Sequence, residues 1–191
     1  MQSAGGGQKI RYMREYLASR EWKETDLILF CDGFDTNVCG TPEEFVNKWR
    51  LFECDVVFGA ESFNWPGQCK RQPQLDTRFT FLNSGGYIGR AVTLKAMFES
   101  SELTDSADDQ LFCQECYIVA PERGWNVKLD ATKTIFCCLS DFRHNMPGAV
   151  KNIGTREQEV YFVQETQSYP LLIHGNGDNV IKRHWIQLVG E

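Results

Sequence analysis

The sequence lacks a long apolar run and is short of positive charge. No apolar stretch of the 191-residue chain approaches the roughly 20 residues that a membrane-spanning helix needs, and its start lacks the apolar core of a signal peptide. Lysine and arginine together number 20 against 26 aspartates and glutamates, a net charge of −6, which argues against a broad nucleic-acid-binding face. If the protein binds phosphate, a few residues and a metal ion must do so.

The sequence is nevertheless rich in core-forming residues. Hydrophobic residues make up 42% of the chain, with 13 Phe, 6 Tyr and 5 Trp, which is typical of an ordered protein. The length suits one compact domain and is too short for two large ones. We therefore predict a single domain over residues 1–191 with one active site.

Eight cysteines are many for a domain of this size, and their even number permits disulfides. Cys113 and Cys116 have the spacing of zinc ligands, and Cys137 and Cys138 are candidates for a second pair. Adjacent cysteines suit tetrahedral geometry poorly, and the first pair falls in a helix-like stretch. We therefore favour buried thiols over structural zinc.

Hydrophobic periodicity predicts alternating helices and strands. Helices are predicted over residues 10–17, from Thr41, over 91–99, from Ser106 and over 181–188. Strands are predicted at residues 27–31, 56–58, 79–82, 87–89, 127–129, 135–138, 160–163 and 171–173, with a turn at 83–86 and a long loop at 63–78. This pattern predicts an α/β layered domain with a mostly parallel sheet, partly mixed toward the C-terminal half.

Two predicted strand ends carry candidate metal ligands, where ligands of α/β sheets usually bind. Asp32 and Asp35 directly follow the first apolar run, and paired carboxylates suit Mg²⁺ or Mn²⁺. Alone, such a pair is more often an ordinary turn. His174 follows another apolar run, at residues 171–173. If it joins the two aspartates, the mixed oxygen and nitrogen ligands favour Mn²⁺.

Three further segments are weaker candidates. The run from Gly5 to Lys9 enters a helix, and its backbone N–H groups and lysine could face phosphate. Asp108 and Asp109 occupy a predicted first helical turn, which they would stabilise, and such a carboxylate could also stabilise positive charge on a reacting sugar. The segment from Glu61 to Pro66 offers aromatic side chains that are usually core but could form a sugar-binding wall.

Together and in this order, these segments resemble the glycosyltransferase domain of the procollagen lysyl hydroxylases and related stand-alone collagen glucosyltransferases. The matching segments run from Gly5 to Lys9, Phe30 to Asp35, Ala60 to Pro66, Phe81 to Gly89, Asp108 to Phe112 and His174 to Gly177. The resemblance covers nearly the whole chain. Leu-Asn-Ser-Gly-Gly and His-Gly-Asn-Gly at this separation are its most specific motifs.

The resemblance implies a GT-A-type fold that uses Mn²⁺ and UDP-glucose. It implies transfer of glucose to galactosyl-hydroxylysine of collagen, with retention, in the endoplasmic reticulum lumen, and a possible homodimer. By position, the implied metal ligands are Asp32, Asp35 and His174, and the implied catalytic residues are Asp108 and Asp109. Donor contacts are implied for Lys9, Phe34, Gly175 and Asn176, and substrate contacts for Trp65, Asn64 and Asn83.

The chain departs from the family pattern in two places. The family domain begins with a nucleotide-binding strand and helix that have no counterpart before Gly5, so we expect an N-terminally incomplete domain. The run from Asp105 to Asp109 is less acidic than in the family, which affects the expected acceptor orientation. The hydroxylase half of the multidomain members is also absent, which implies no iron and no lysine hydroxylation.

Three alternatives remain open at this level. A UDP-galactose-dependent collagen galactosyltransferase would have the same fold, because the two donors differ at one hydroxyl. A non-catalytic remnant of the fold would bind collagen or another partner without turnover. A zinc-stabilised interaction module would bind the metal through Cys113 and Cys116.

Overall fold

A computed structural model describes residues 6–69, 72–155 and 158–189. Its helices are α1 (Gly7–Ala18), α2 (Pro42–Arg50), α3 (Ala91–Phe98), α4 (Asp109–Arg123), α5 (Met146–Ala149) and α6 (Asn179–Val189), with a 3-10 turn at Leu139–Phe142. Its strands are β1 (Leu27–Cys31), β2 (Thr36–Val38), β3 (Val56–Glu61), β4 (Phe81–Arg90), β5 (Val127–Asp130), β6 (Phe136–Cys138), β7 (Val150–Asn152), β8 (Tyr161–Val163) and β9 (Leu172–His174). Gly5, the first glycine of the predicted phosphate-facing run, lies outside the described residues. No helix in the described ranges has both the length and the apolar character that crossing a membrane requires.

The central sheet has four strands in the order β1-β4-β3-β5. β4 pairs antiparallel with both β1 and β3, and β5 lies parallel to β3. The predicted α/β class with mixed sheets is confirmed, but the expected predominance of parallel pairing is wrong. The reason is that β4 is one long strand running between β1 and β3 in the opposite direction to both.

β4 also replaces the turn that was predicted at residues 83–86. This stretch is part of the strand, since Gly86 lies opposite Cys31 of β1 and Asn83 lies opposite Gly59 of β3, with a bulge at residues 84–86 in the pairing with β3. Its glycines admit the second sheet, because a Cβ built on Gly86 would lie 2.8 Å from the Phe136 ring. Small residues that usually indicate a turn are here required by close packing.

A second, three-stranded sheet has the order β2-β9-β6. β2 pairs antiparallel with β9, with Thr36 opposite His174, and β6 lies parallel to β9. β2 was not predicted, because it is short and has no apolar run. Its pairing brings the end of β9 to the turn that follows β1. β7 and β8 form a separate hairpin.

Side-chain caps define the starts of two helices. The predicted start of α2 is confirmed: the Glu44 N–H donates to Thr41 Oγ1 at 3.3 Å, and the Thr41 N–H donates to Glu44 Oε2 at 2.7 Å. The predicted start of α4 at Ser106 is wrong. The Leu111 N–H donates to Asp108 Oδ1 at 2.9 Å, so Asp108 and not Ser106 is the N-cap, and α4 begins at Asp109.

The core lies on both faces of the central sheet, as the alternation of side chains along β3 requires. Val56 and Phe58 belong to a large cluster that includes Ile10, Met13 and Leu17 of α1. Val57 belongs to a smaller cluster under α2. α1 therefore buries the face that its apolar spacing predicted.

The cysteines that raised the question of zinc are buried within this core. Cys113 and Cys116 lie in α4 and carry free thiols. Burial raises the pKa of Cys116 to about 11 and that of Cys113 well above its usual value. Since zinc binds the thiolate, these surroundings disfavour a zinc site there.

Candidate metal centre and adjoining cleft

Asp32, Asp35 and His174 converge at the junction of the two sheets. His174 Nε2 lies 3.5 Å from Asp35 Oδ1 and 3.8 Å from Asp32 Oδ2. One ligand atom from each residue lies within 4.8 Å of the others, and the described ranges contain no other such group of three or more potential metal ligands. The structure thus brings together the three residues that the sequence indicated as a ligand set.

Backbone pairing holds the two aspartates in place. Asp32 follows β1, and its N–H donates to Gly85 O of β4 at 3.0 Å. The Asp35 carbonyl accepts from the Gly175 N–H at 2.6 Å. Both carboxylates therefore sit on backbone that is hydrogen-bonded to neighbouring strands or strand ends, and their positions do not depend on a free loop.

His174 is oriented by a side-chain partner. Its Nδ1 lies 3.1 Å from Asn83 Oδ1, which also accepts from the Gly85 N–H at 3.0 Å. If Nδ1 is the donor to Asn83, the Nε2 lone pair is directed toward the aspartates, as metal-binding histidines are commonly arranged. In the other tautomer, or in a doubly protonated ring, Nε2 would instead donate to Asp35, and this interaction is the main reason why the pKa of Asp35 lies below its usual value, against the effect of burial.

The donor set and its exposure fit a hard or borderline divalent cation. Two carboxylates and one imidazole are suited to Mn²⁺ and, less well, to Mg²⁺. His174 is buried, while the side chains of Asp32 and Asp35 are 20% and 35% exposed. One side of the site is therefore open to water or to a ligand.

Lys9 bridges this group to Asp109. Its Nζ lies 2.8 Å from Asp32 Oδ1 and 3.3 Å from Asp109 Oδ2. Burial lowers the pKa of Lys9, but the hydrogen bond to Asp32 and the charge of Asp109 outweigh burial, so the pKa lies above its usual value. The ammonium is thus held in its charged form at the edge of the site.

The two predicted catalytic aspartates have different surroundings. Asp108 caps α4, so one of its oxygens is engaged by the helix. Asp109 also accepts from Ser84 Oγ at 3.0 Å. It packs so closely on the start of α1 that a Cβ on Gly6 would lie 2.0 Å from its Oδ1. Of the two, Asp109 belongs to the same cluster as the candidate metal ligands.

A buried carboxylate, Glu61, lies behind the candidate metal centre. It is 3% exposed and accepts hydrogen bonds from three side-chain amides. The donors are Gln110 at 2.7 Å, Asn176 at 3.1 Å and Asn83 at 3.2 Å. The sequence placed Glu61 only beside the candidate sugar-binding wall and did not indicate Gln110. The available signal was that Glu61 lies three residues after the apolar run at residues 56–58, and it is the last residue of the fully buried β3.

The predicted donor and substrate residues are partly engaged by the protein itself. The Asn176 amide donates to Glu61 and to Ser140 Oγ at 2.9 Å, and the Gly175 N–H is taken by Asp35. Asn64 donates to Cys69 O at 2.9 Å and so organises its own loop. Trp65 is 57% exposed, and its carbonyl accepts from Gln110 and Gln114 of α4.

An open cleft of about 910 Å³ lies between α1 and α6, beside the candidate metal centre. Asp32 and Asp35 line it together with aromatic side chains. These aromatic residues are Tyr12, Tyr16, Phe30, Phe34 and Trp185. The Phe34 ring is fully exposed at the opening, so a flat ligand ring could stack on it.

Burial raises the pKa of Glu61 to about 7, and this predicts a pH dependence of stability. An unfolded chain releases this proton near pH 4.5, so between these values the folded state binds more protons. The free energy of unfolding therefore falls as pH rises through that window, by about 3 kcal/mol for a shift of this size.

Glu61→Gln should remove this contribution to the pH dependence of stability, because the glutamine amide does not titrate. Urea unfolding of both proteins from about pH 4 to about pH 8 measures this contribution. Over that range the free energy of unfolding of the wild type should fall by about 3 kcal/mol more than that of the variant. The relevant quantity is the difference in slope, since the substitution also changes hydrogen bonds. Parallel pH profiles would mean that the pKa of Glu61 is the same in the folded and the unfolded protein.

Comparison with known proteins matches the chain to a family along almost all of its length. The sequence model described as "PLOD GT domain" matches residues 1–186. The human protein "Multifunctional procollagen lysine hydroxylase and glycosyltransferase LH3" is 30% identical over 190 residues, which cover 96% of this chain and 25% of that protein.

Other relatives carry dioxygenase names. Mouse "Procollagen-lysine,2-oxoglutarate 5-dioxygenase 2" is 32% identical over 184 residues, covering 95% of this chain and 24% of the relative. Human "Procollagen-lysine,2-oxoglutarate 5-dioxygenase 1" is 32% identical over 190 residues, which cover 96% of this chain and 25% of the relative. The chain thus spans about a quarter of the length of these relatives.

Proposed function

Because the chain belongs to the PLOD GT domain family, we propose that it is a metal-dependent glycosyltransferase domain using a nucleotide-diphosphate sugar. The observation that carries the proposal is the group of Asp32, Asp35 and His174 at the edge of an aromatic cleft. Two carboxylates and an imidazole beside a space for a flat ring suit a metal-bound diphosphate joined to a nucleobase.

The three ligands would hold Mn²⁺ through Asp32 and Asp35 oxygens and His174 Nε2. A bound divalent cation would act as a Lewis acid and neutralise charge on the departing diphosphate. Asn83 fixes the imidazole orientation through its contact with Nδ1. Lys9 would contribute a second positive charge near the diphosphate, in exchange for part of its contact with Asp32 and Asp109.

The remaining residues would position the two substrates. Phe34 would stack on the base of the nucleotide. Asp109, held by Lys9 and Ser84, is better placed than Asp108 to orient an acceptor hydroxyl or stabilise positive charge at the sugar. Trp65, half-exposed above α4, would contact the donor or acceptor sugar.

In its specific form, the proposal is transfer of glucose from UDP-glucose to galactosyl-hydroxylysine of collagen, with retention at the anomeric carbon. The names of the relatives, which combine procollagen, lysine hydroxylation and glycosyl transfer, support a collagen acceptor. On this proposal the domain acts in the endoplasmic reticulum lumen, where collagen chains are modified before they wind.

Calorimetric titration of UDP with and without Mn²⁺ tests the proposal at the donor site. We expect binding with Mn²⁺ and little or none after chelation. A transfer assay with UDP-glucose and UDP-galactose in competition then identifies the sugar. A folded protein that binds no UDP in either condition would contradict the proposal and favour a non-catalytic member of the family.

A further inference from the structure

A buried ion pair lies next to the site. Lys133 Nζ lies 2.6 Å from Asp141 Oδ2, and the two side chains are 0% and 1% exposed. The ammonium also lies 4.1 Å from the centre of the Phe79 ring. Burial lowers the pKa of Lys133, but the charge of Asp141 outweighs burial, and the lysine remains charged.

Stability alone does not account for such a pair. Removing two charges from water is expensive, and replacing a buried ion pair with uncharged groups often leaves a protein as stable as before. The contacts of this pair instead indicate a local geometric role.

The pair completes an edge of the central sheet where β5 ends. The last residue of β5, Asp130, lies opposite Gly59 of β3. Beyond this point Lys133 donates to the Ala60 carbonyl, and the Ser62 N–H donates to Asp141 Oδ1 at 2.6 Å. A neighbouring strand would normally bind two such backbone groups, and here two side chains do so.

The two clamped backbone groups flank Glu61. The carboxylate of Glu61 accepts from Asn83, which orients His174, and from Gln110, which also holds the Trp65 carbonyl. A shift of the β3 end would therefore reach both the candidate metal centre and the loop that carries Trp65.

We propose that Lys133 and Asp141 are positioning residues that clamp the end of β3 and so hold Glu61 and its amide partners in the geometry required for transfer. This inference rests on the proposed function for its catalytic consequence. The clamp itself is a structural statement that can be tested separately.

The informative variant is Lys133→Met combined with Asp141→Asn, because it removes both charges together. Either single substitution would leave one buried charge unpaired and be strongly destabilising. The D141N amide keeps an oxygen for the Ser62 N–H, but the donor to Ala60 is lost. Arg90→Met is the matched control. It removes a cation whose Nε lies 3.3 Å from Asp55 Oδ1, and Asp55 directly precedes β3, at the end of that strand opposite to the clamp.

Hydrogen–deuterium exchange tests the clamp without reference to activity. Amides of residues 59–62 should exchange at least about 10-fold faster in the double variant, because the end of the strand opens locally. The same amides should be unchanged in Arg90→Met. Unchanged exchange in the double variant would overturn the clamp.

Steady-state kinetics test its consequence for transfer. UDP affinity with Mn²⁺ should fall by no more than about 10-fold, because Asp32 and Asp35 are held by other backbone contacts and the shift reaches only His174, through Asn83. In contrast, kcat should fall by about 100-fold, as expected for small displacements of positioned groups. Faster exchange with an unchanged kcat would overturn the positioning role. A wild-type protein that shows no transfer would contradict the proposed function and leave the exchange test decisive for the clamp.

Ser62→Pro provides a second test if the double variant does not fold. It removes the N–H that binds Asp141 and places the proline ring against that carboxylate, so the contact between Asp141 and β3 opens. Glu61 already has the extended backbone that proline requires of the preceding residue. We again expect UDP affinity to fall by no more than about 10-fold and kcat to fall by about 100-fold. Wild-type kcat in this variant would overturn the proposal.

Discussion

Alanine in place of Asp35 is expected to abolish Mn²⁺-dependent binding of UDP. The substitution removes one of the three groups that converge within 4.8 Å and leaves a carboxylate and an imidazole. Affinity should fall by more than about 100-fold, since loss of a residue that merely orients a ligand already costs roughly 10- to 100-fold. Calorimetric titration of UDP in the presence of Mn²⁺ measures the effect.

The fold should survive this change. The Asp35 backbone carbonyl, which accepts from the Gly175 N–H, is unaffected by a change of side chain. Glu122→Ala is the matched control, because it removes an exposed carboxylate near the far end of α4. Unchanged UDP binding by Asp35→Ala would exclude Asp35 from the ligand set.

Alanine in place of Gly85 should disrupt the same site through packing alone. A Cβ at this position would lie 2.1 Å from His174 Cε1 and 2.6 Å from His174 Nδ1. The imidazole is buried, so either the ring or β4 must move. We expect destabilisation of about 1–3 kcal/mol from overpacking and a loss of metal affinity of at least about 10-fold from the displaced ligand.

Two further variants separate the clash from a general effect of alanine in a strand. A Cβ on Gly59 of the neighbouring strand would meet no atom closer than 3.5 Å, so Gly59→Ala should be tolerated. Adding His174→Ala to Gly85→Ala removes the ring and should recover stability without restoring metal binding. Thermal unfolding and Mn²⁺ titration measure both quantities. Equal stability and Mn²⁺ affinity of Gly85→Ala and wild type would contradict the predicted clash.

Local sequence patterns were informative where a segment specifies its own conformation. The apolar run at residues 27–31 forms β1, and the Thr41 capping box starts α2. The start of α4 was misplaced because two residues near the cap, Ser106 and Asp108, both have side chains that can cap a helix. Only the contact of Asp108 with Leu111 distinguishes them.

The candidate ligands could be proposed from sequence because each follows an apolar run. Their convergence could not, since it depends on pairing between β2 and β9, and β2 has no apolar pattern. The Asn83 to Gly86 stretch was misread for a related reason. Its small residues serve contacts with His174 and Phe136, which belong to distant parts of the chain.

Local periodicity and motifs in a characteristic order were enough to predict the family, the α/β class, the main strands and helices, and the residue types available for metal binding. Three features are visible only in the folded chain: the predominance of antiparallel pairing, the burial of Glu61 among three amides and the clamp formed by Lys133 and Asp141. Such features arise from contacts between residues far apart in the chain, and the burial that raises the pKa of Glu61 exists only after those segments have packed.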